Sequence, residues 1–215
     1  MPRAFYDQVK DGGLLLIVLK VKGGGDTLFL LEKVCDHFES REALPCAFLA
    51  LTGKHALEDR DPIALEEVPE WTSLSRSVVG RRRFWWGMGS ASQAFLPRTV
   101  GFRGFLGIAE PAAFGVFRRK PRSPGPGSAV EGFGLWGEQR TSLALASQDD
   151  FITTYGSEPI GIRFWRHLEQ WFSLGMPDLS CFRLHAYPID AAPPAPSTGW
   201  VTRQSASEFH WMIDG

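Results

Sequence analysis

Apolar residues along the chain fall into short runs punctuated by glycine, proline and acidic residues. Leu14 to Val21 is read as a largely buried strand, opened by the turn Asp11-Gly12-Gly13. Gly23-Gly24-Gly25-Asp26 then turns the chain, and Thr27 to Leu31 follows as a second strand, so the pair forms an antiparallel hairpin. Ala47 to Leu51 is a third short run, closed by Thr52-Gly53. Residues 54–75 are acidic, contain Pro62 and Pro69, and read as a surface connection. From Val78 to Phe117 apolar runs alternate with glycine, which predicts strands and turns rather than long helices. Pro121 to Ser128 is too rich in proline and glycine to pack, and reads as a linker or mobile loop.

The clearest helix spans Pro159 to Leu174, with Ile162, Trp165, Leu168 and Phe172 assigned to one face by spacings of three and four. Pro159 suits its start, and Gly175 with Pro177 its end. Around it, Phe151–Tyr155, Phe182–Tyr187, Trp200–Thr202 and Phe209–Ile213 read as strands. His185 alternates with Phe182, Leu184 and Tyr187 and is expected to point out of the core. The predicted class is α+β, with short-stranded sheets and few helices.

Composition narrows this little. Hydrophobic residues make up 44% and charged residues 22%, ordinary for a globular chain and wrong for a disordered or coiled-coil one. No apolar run approaches the roughly 20 residues of a membrane helix, and no signal peptide opens the chain, so a cytoplasmic protein with no membrane partner is expected. Cys35, Cys46 and Cys181 are odd in number and lack C-x-x-C spacing, which argues for reduced thiols.

Charge changes the picture more. The net charge is −1, but residues 76–122 carry 10 Lys/Arg against one acidic residue, between two flanks that are each acidic by 5. Such a segment needs an anionic neighbour, either the protein's own flanks or a ligand. Arg81, Arg82, Arg83 and Arg103, interleaved with Phe84, Trp85 and Trp86, are candidates to hold acidic peptide. The same pattern suits base stacking, although strands bury such aromatics too, and nucleic acid is the lesser reading.

Motif chemistry is sparse. The triple glycine lacks phosphate-loop spacing, no G-x-S-x-G occurs, and His37, His55, His167, His185 and His210 form no H-x-x-x-H or H-E-x-x-H. No metal site and no catalytic residue is assigned from motifs.

Two stretches do resemble a known family. Pro2 to Leu19, with Gln8-Val9-Lys10-Asp11-Gly12-Gly13-Leu14, then Asp36-His37-Phe38-Glu39-Ser40-Arg41 and Pro45 to Gly53, resembles the end of the methyltransferase domain in protein-L-isoaspartate O-methyltransferase-like enzymes. The likeness is to actinobacterial members that modify ribosomal peptides such as lanthipeptides. Ser142-Leu143-Ala144-Leu145, Asp150 to Thr154, the helix with Trp171, and Phe182-Arg183-Leu184-His185 are similar to the additional C-terminal domain of those enzymes.

The resemblance implies a division into 1–54, last strands of a Rossmann-like methyltransferase sheet; 55–75, a connection; and 76–215, a peptide-binding-type domain with a flexible loop at 121–130. In the family the glycine-rich loop and the acidic ribose-binding residue lie upstream of these stretches. The chain is therefore expected to carry no cofactor of its own and to meet S-adenosylmethionine only through a partner.

The expected function is a component of ribosomal-peptide maturation that binds the precursor peptide, as a non-catalytic accessory or as the substrate half of a split methyltransferase. Arg81, Arg82, Arg83, Trp85, Arg103, Arg140 and His185 are the candidate substrate contacts. A repurposed peptide-modifying enzyme without S-adenosylmethionine, and a nucleic-acid-binding protein, are the alternatives. The apolar Leu14–Val21 strand, short of neighbours to cover it, implies self-association or a separate methyltransferase-like subunit.

Overall fold

The computed structural model describes residues 1–46, 62–84, 91–119, 130–147, 150–191, 193–196, 198–204 and 206–213, with the backbone alone at 91–98 and 130–131. The alternating apolar pattern yields twelve strands: β1 (Leu14–Val21), β2 (Gly25–Val34), β3 (His37–Cys46), β4 (Ile63–Ala64), β5 (Val78–Arg83), β6 (Phe114–Arg119), β7 (Val130–Trp136), β8 (Leu143–Ser147), β9 (Phe151–Tyr155), β10 (Phe182–Pro188), β11 (Trp200–Gln204) and β12 (Ser207–Ile213). With them come helices α1 (Arg3–Gln8), α2 (Trp71–Leu74), α3 (Ala91–Ala109) and α4 (Glu158–Ser173). The protein is α+β.

The strands form two six-stranded sheets, ordered β1-β2-β3-β10-β12-β11 and β4-β6-β7-β8-β9-β5. The first is antiparallel throughout; in the second, β4 runs parallel to β6. The β1–β2 hairpin pairs Leu14 with Glu32 through to Val21 with Gly25, as the glycine turn predicts. Strand β3 then pairs with β10, so the first 46 residues and the C-terminal strands share one sheet. The run Ala47–Leu51 and the loop 121–129 lie outside the described residues, and Val130 already begins β7.

Helices α3 and α4 form the layer between the sheets. Phe102, Phe105 and Leu106 of α3 and Phe164, Leu168 and Trp171 of α4 join Phe29, Leu31 and Phe38 of the first sheet and Phe133, Leu135 and Ile152 of the second in one core. A smaller core covers the second sheet's far face, where Leu65, Val68, Trp71 and Leu74 pack on Phe117, Trp136, Leu143, Leu145 and Tyr155. Part of the acidic connection at 62–75 is thus a packed element.

Three sequence expectations are corrected. Strand β1, read as largely buried, has only Val21 buried, and Leu14 and Leu16 are more than half exposed because they lie on the outer face of the sheet. The segment Val78–Phe117 contains a 19-residue helix, α3, rather than strands and turns alone. Its Gly101, Gly104 and Gly107 recur at helical spacing, and each meets backbone or side chains of a neighbouring segment. Here glycine serves close packing. The face of α4 is also rotated from the expected one: Ile160, Phe164, Leu168 and Trp171 are buried, while Ile162 and Phe172 are exposed. Pro159 in the first turn and Gly175 in a left-handed conformation bound this helix as predicted.

Candidate functional site

Strand β5 lies at one edge of its sheet, bonded on its described side to β9. Because successive side chains alternate across a strand, Arg82 falls on the α4 side and Arg81 and Arg83 on the opposite side. The Arg82 guanidinium lies over the Trp165 ring at 4.2 Å, and that of Arg81 over Phe151 at 3.8 Å. All three arginines are exposed. Between the strand and the overhanging helix runs a cleft of about 290 Å³, whose walls include Arg82, Thr154, Trp165 and Arg166. Glu158 and Glu169 of α4 stand on the same rim, so the cleft has both signs of charge. Exposed Val78 and Val79 continue the edge toward the start of the strand.

The other predicted contacts do not join this edge. Arg103 is on α3, its guanidinium 6.0 Å from the Phe133 ring. Arg140 sits in the short turn Glu138–Arg140 between β7 and β8, in a left-handed conformation, over Trp136 at 5.8 Å. His185 belongs to the other sheet. Trp85 lies outside the described residues.

A second polar constellation, missed by motif search, occupies the outer face of the first sheet. Glu39 stands opposite His185, and His185 opposite His210, so these side chains share a face with His37 and Tyr187. His37 stacks on Tyr187 with ring centroids 4.6 Å apart, and the His37 and His185 centroids are 5.6 Å apart. His37 Nε2 lies 3.3 Å from Glu39 Oε1, and its Nδ1 3.3 Å from Asp36 Oδ1. Further along, Arg41 Nε donates to Glu32 at 2.6 Å, Arg203 Nε donates to Glu208 at 2.7 Å, and His210 Nε2 is 2.8 Å from Glu208.

Burial holds His185 below its ordinary value, against the pull of Glu39 and with help from His37 and His210. The Tyr187 hydroxyl is pushed up by burial and by Glu39 and Asp36. The hydrogen bonds from His210 and Arg203 keep the Glu208 carboxyl below the usual range. The outward direction of His185 was readable from alternation; its neighbours were not, because β3 and β10 are far apart in the chain.

Next to this polar stripe the same face is apolar. Leu14, Leu16 and Leu44 are more than half exposed, and Val18, Leu28 and Leu30 are half-buried beside them. No helix among the described residues is long and apolar enough to cross a membrane.

No family model matches the chain, and no curated protein matches it. A solved structure of a protein-L-isoaspartate O-methyltransferase is similar to it at 16% identity and a TM-score of 0.37, over 86% of this chain and 46% of that one. The chain thus spans less than half the length of that structure.

Proposed function

We propose that the chain binds an acidic peptide in extended form along the β5 edge, as the peptide-binding component of ribosomal-peptide maturation. The observation that carries the binding is the row Arg81-Arg82-Arg83 on an edge strand above the Trp165 cleft. An edge strand offers backbone N–H and C=O groups to an added strand, and main-chain pairing there supplies affinity whatever the peptide sequence. Arg82, over Trp165 at the cleft, then selects a carboxylate of the added strand.

The maturation role rests on the sequence resemblance to peptide-modifying methyltransferases. Under it the chain is an accessory, or the substrate half of a split enzyme in which S-adenosylmethionine belongs to a partner. The exposed leucines of β1 and β3 support such a partner, or a second copy, covering the outer face of the first sheet.

The test is fluorescence anisotropy with a labelled Asp/Glu-rich peptide. Replacing the three arginines by glutamate is expected to weaken binding about tenfold or more, since like charges brought together cost several kcal/mol. Unchanged affinity would remove the edge from consideration. A single-stranded oligonucleotide run in parallel separates the lesser reading: tighter binding there, with a steeper fall in salt from counterion release, would replace the peptide by nucleic acid.

A further inference from the structure

The outer-face cluster on the first sheet, away from the β5 edge, has the chemistry of a metal site. His37 and Glu39 are two residues apart on β3, and His185 stands opposite Glu39 on β10, so the antiparallel register aims all three side chains outward together. One ligand atom from each lies within 4.8 Å of the others, the one such grouping among the described residues. Two ligands bound at about 2.0–2.2 Å and spanning a tetrahedral angle sit about 3.4 Å apart. His37 Nε2 and Glu39 Oε1, at 3.3 Å, already have that separation.

The environment of His37 sharpens the argument. Both of its ring nitrogens face carboxylate oxygens, Nδ1 toward Asp36 and Nε2 toward Glu39. A neutral imidazole carries one N–H, so it can satisfy only one of them. With Nδ1–H donated to Asp36, the Nε2 lone pair and a Glu39 oxygen point at each other, a contact that either a metal cation or a second ring proton between them makes favourable. Asp36 then plays the part of the outer carboxylate that orients a metal-bound histidine. The stacked Tyr187 ring fixes the plane of His37. His185, opposite Glu39 on β10, brings the second imidazole. Two imidazoles and one carboxylate favour zinc and its transition-metal neighbours over magnesium or calcium, which prefer all-oxygen sets.

We propose that His37, Glu39 and His185 form a three-ligand site for a divalent transition-metal ion, with a fourth position open to water or to a ligand atom. The competing account is an imidazolium at His37 bridging two carboxylates with no ion.

The experiment is calorimetric titration of the chelator-treated full chain with Zn²⁺, repeated with Co²⁺ and followed by visible absorption. One ion per chain and a cobalt ligand-field band are expected. Glu39→Gln and His185→Ala should each weaken binding about tenfold or more, because loss even of outer partners commonly costs 10- to 100-fold. His167→Gln, in a separate pair with Glu110, should leave it intact. Circular dichroism checks that the variants fold; should His185→Ala not fold, Asp36→Asn, on an exposed side chain, replaces it and should weaken binding through His37. Absence of saturable binding, or binding that survives these substitutions, would overturn the site.

Discussion

Glu110 follows directly on α3 and ties it to α4. Its carboxylate accepts from both Arg163 Nε, at 2.6 Å, and Arg163 Nη2, while His167 Nε2 approaches at 2.7 Å. Burial pushes this carboxyl up, but the bonds from His167 and Arg163 outweigh it and leave it below its ordinary 4.5. A carboxyl that is more acidic in the folded chain contributes stability in full above that ordinary value, and the contribution is lost as pH falls through the folded one. Glu110→Gln should therefore cost about 1.5–3 kcal/mol at neutral pH and flatten the loss of stability in acid. Urea unfolding of both proteins at neutral pH and at about pH 4 measures it; identical pH slopes would rule this account out.

At the scale of elements, α3 is held by what its glycines lack. A Cβ on Gly104 would come within 3.4 Å of the Gly24 Cα, and one on Gly107 would overlap the Lys22 carbonyl oxygen. Helix propensity alone favours Gly→Ala by up to about 1 kcal/mol, whereas overpacking against backbone costs about 1–3 kcal/mol. The second effect is the larger, so Gly107→Ala should lower the melting temperature. A rise would show that the helix does not press on the β1–β2 turn.

The same glycines explain what sequence could and could not tell. Short apolar runs and alternation are local properties, so β1, β9 and β10 were legible with boundaries close to those observed, whereas β2, β11 and β12 extend two or three residues beyond the stretches that were legible. Glycine at helical spacing reads locally as a turn signal, and only the opposing Lys22 and Gly24 reveal its use. On α4, Ile162 and Phe172 are apolar yet exposed, while Gly161 packs against Thr154, so hydrophobicity alone pointed the helix the wrong way. Of the candidate sites, the arginine row was visible as a charge cluster. The histidine grouping depended on a strand pairing that no local pattern encodes.

For the whole molecule, association is expected to turn on the outer face of the first sheet. Leu14 and Leu16 are 62% and 63% exposed at its edge strand, and Leu44 continues the patch from β3. Exposed apolar surface on a strand with no further neighbour among the described residues favours contact with another chain. Light scattering should find the protein above the mass of one chain, and Leu14→Lys with Leu16→Lys should return it to one chain. A monomeric wild type would mean that any partner is a different protein, to be sought by co-expression.

The junction of β3 with β10 has a temporal side as well. Ser40 accepts a hydrogen bond from the backbone of Leu184, 144 residues later. A ribosome adding roughly 5–20 residues per second reaches β10 some 7–30 s after β3 has been made. Through that interval the inner faces of the first three strands, with Phe29, Leu31 and Phe38, lack the strand beside β3, and until α3 and then α4 have been made they lack the middle layer too. Synthesis of this chain thus includes a long stretch in which a finished hairpin has no core to close on, and a holding chaperone would find its client there.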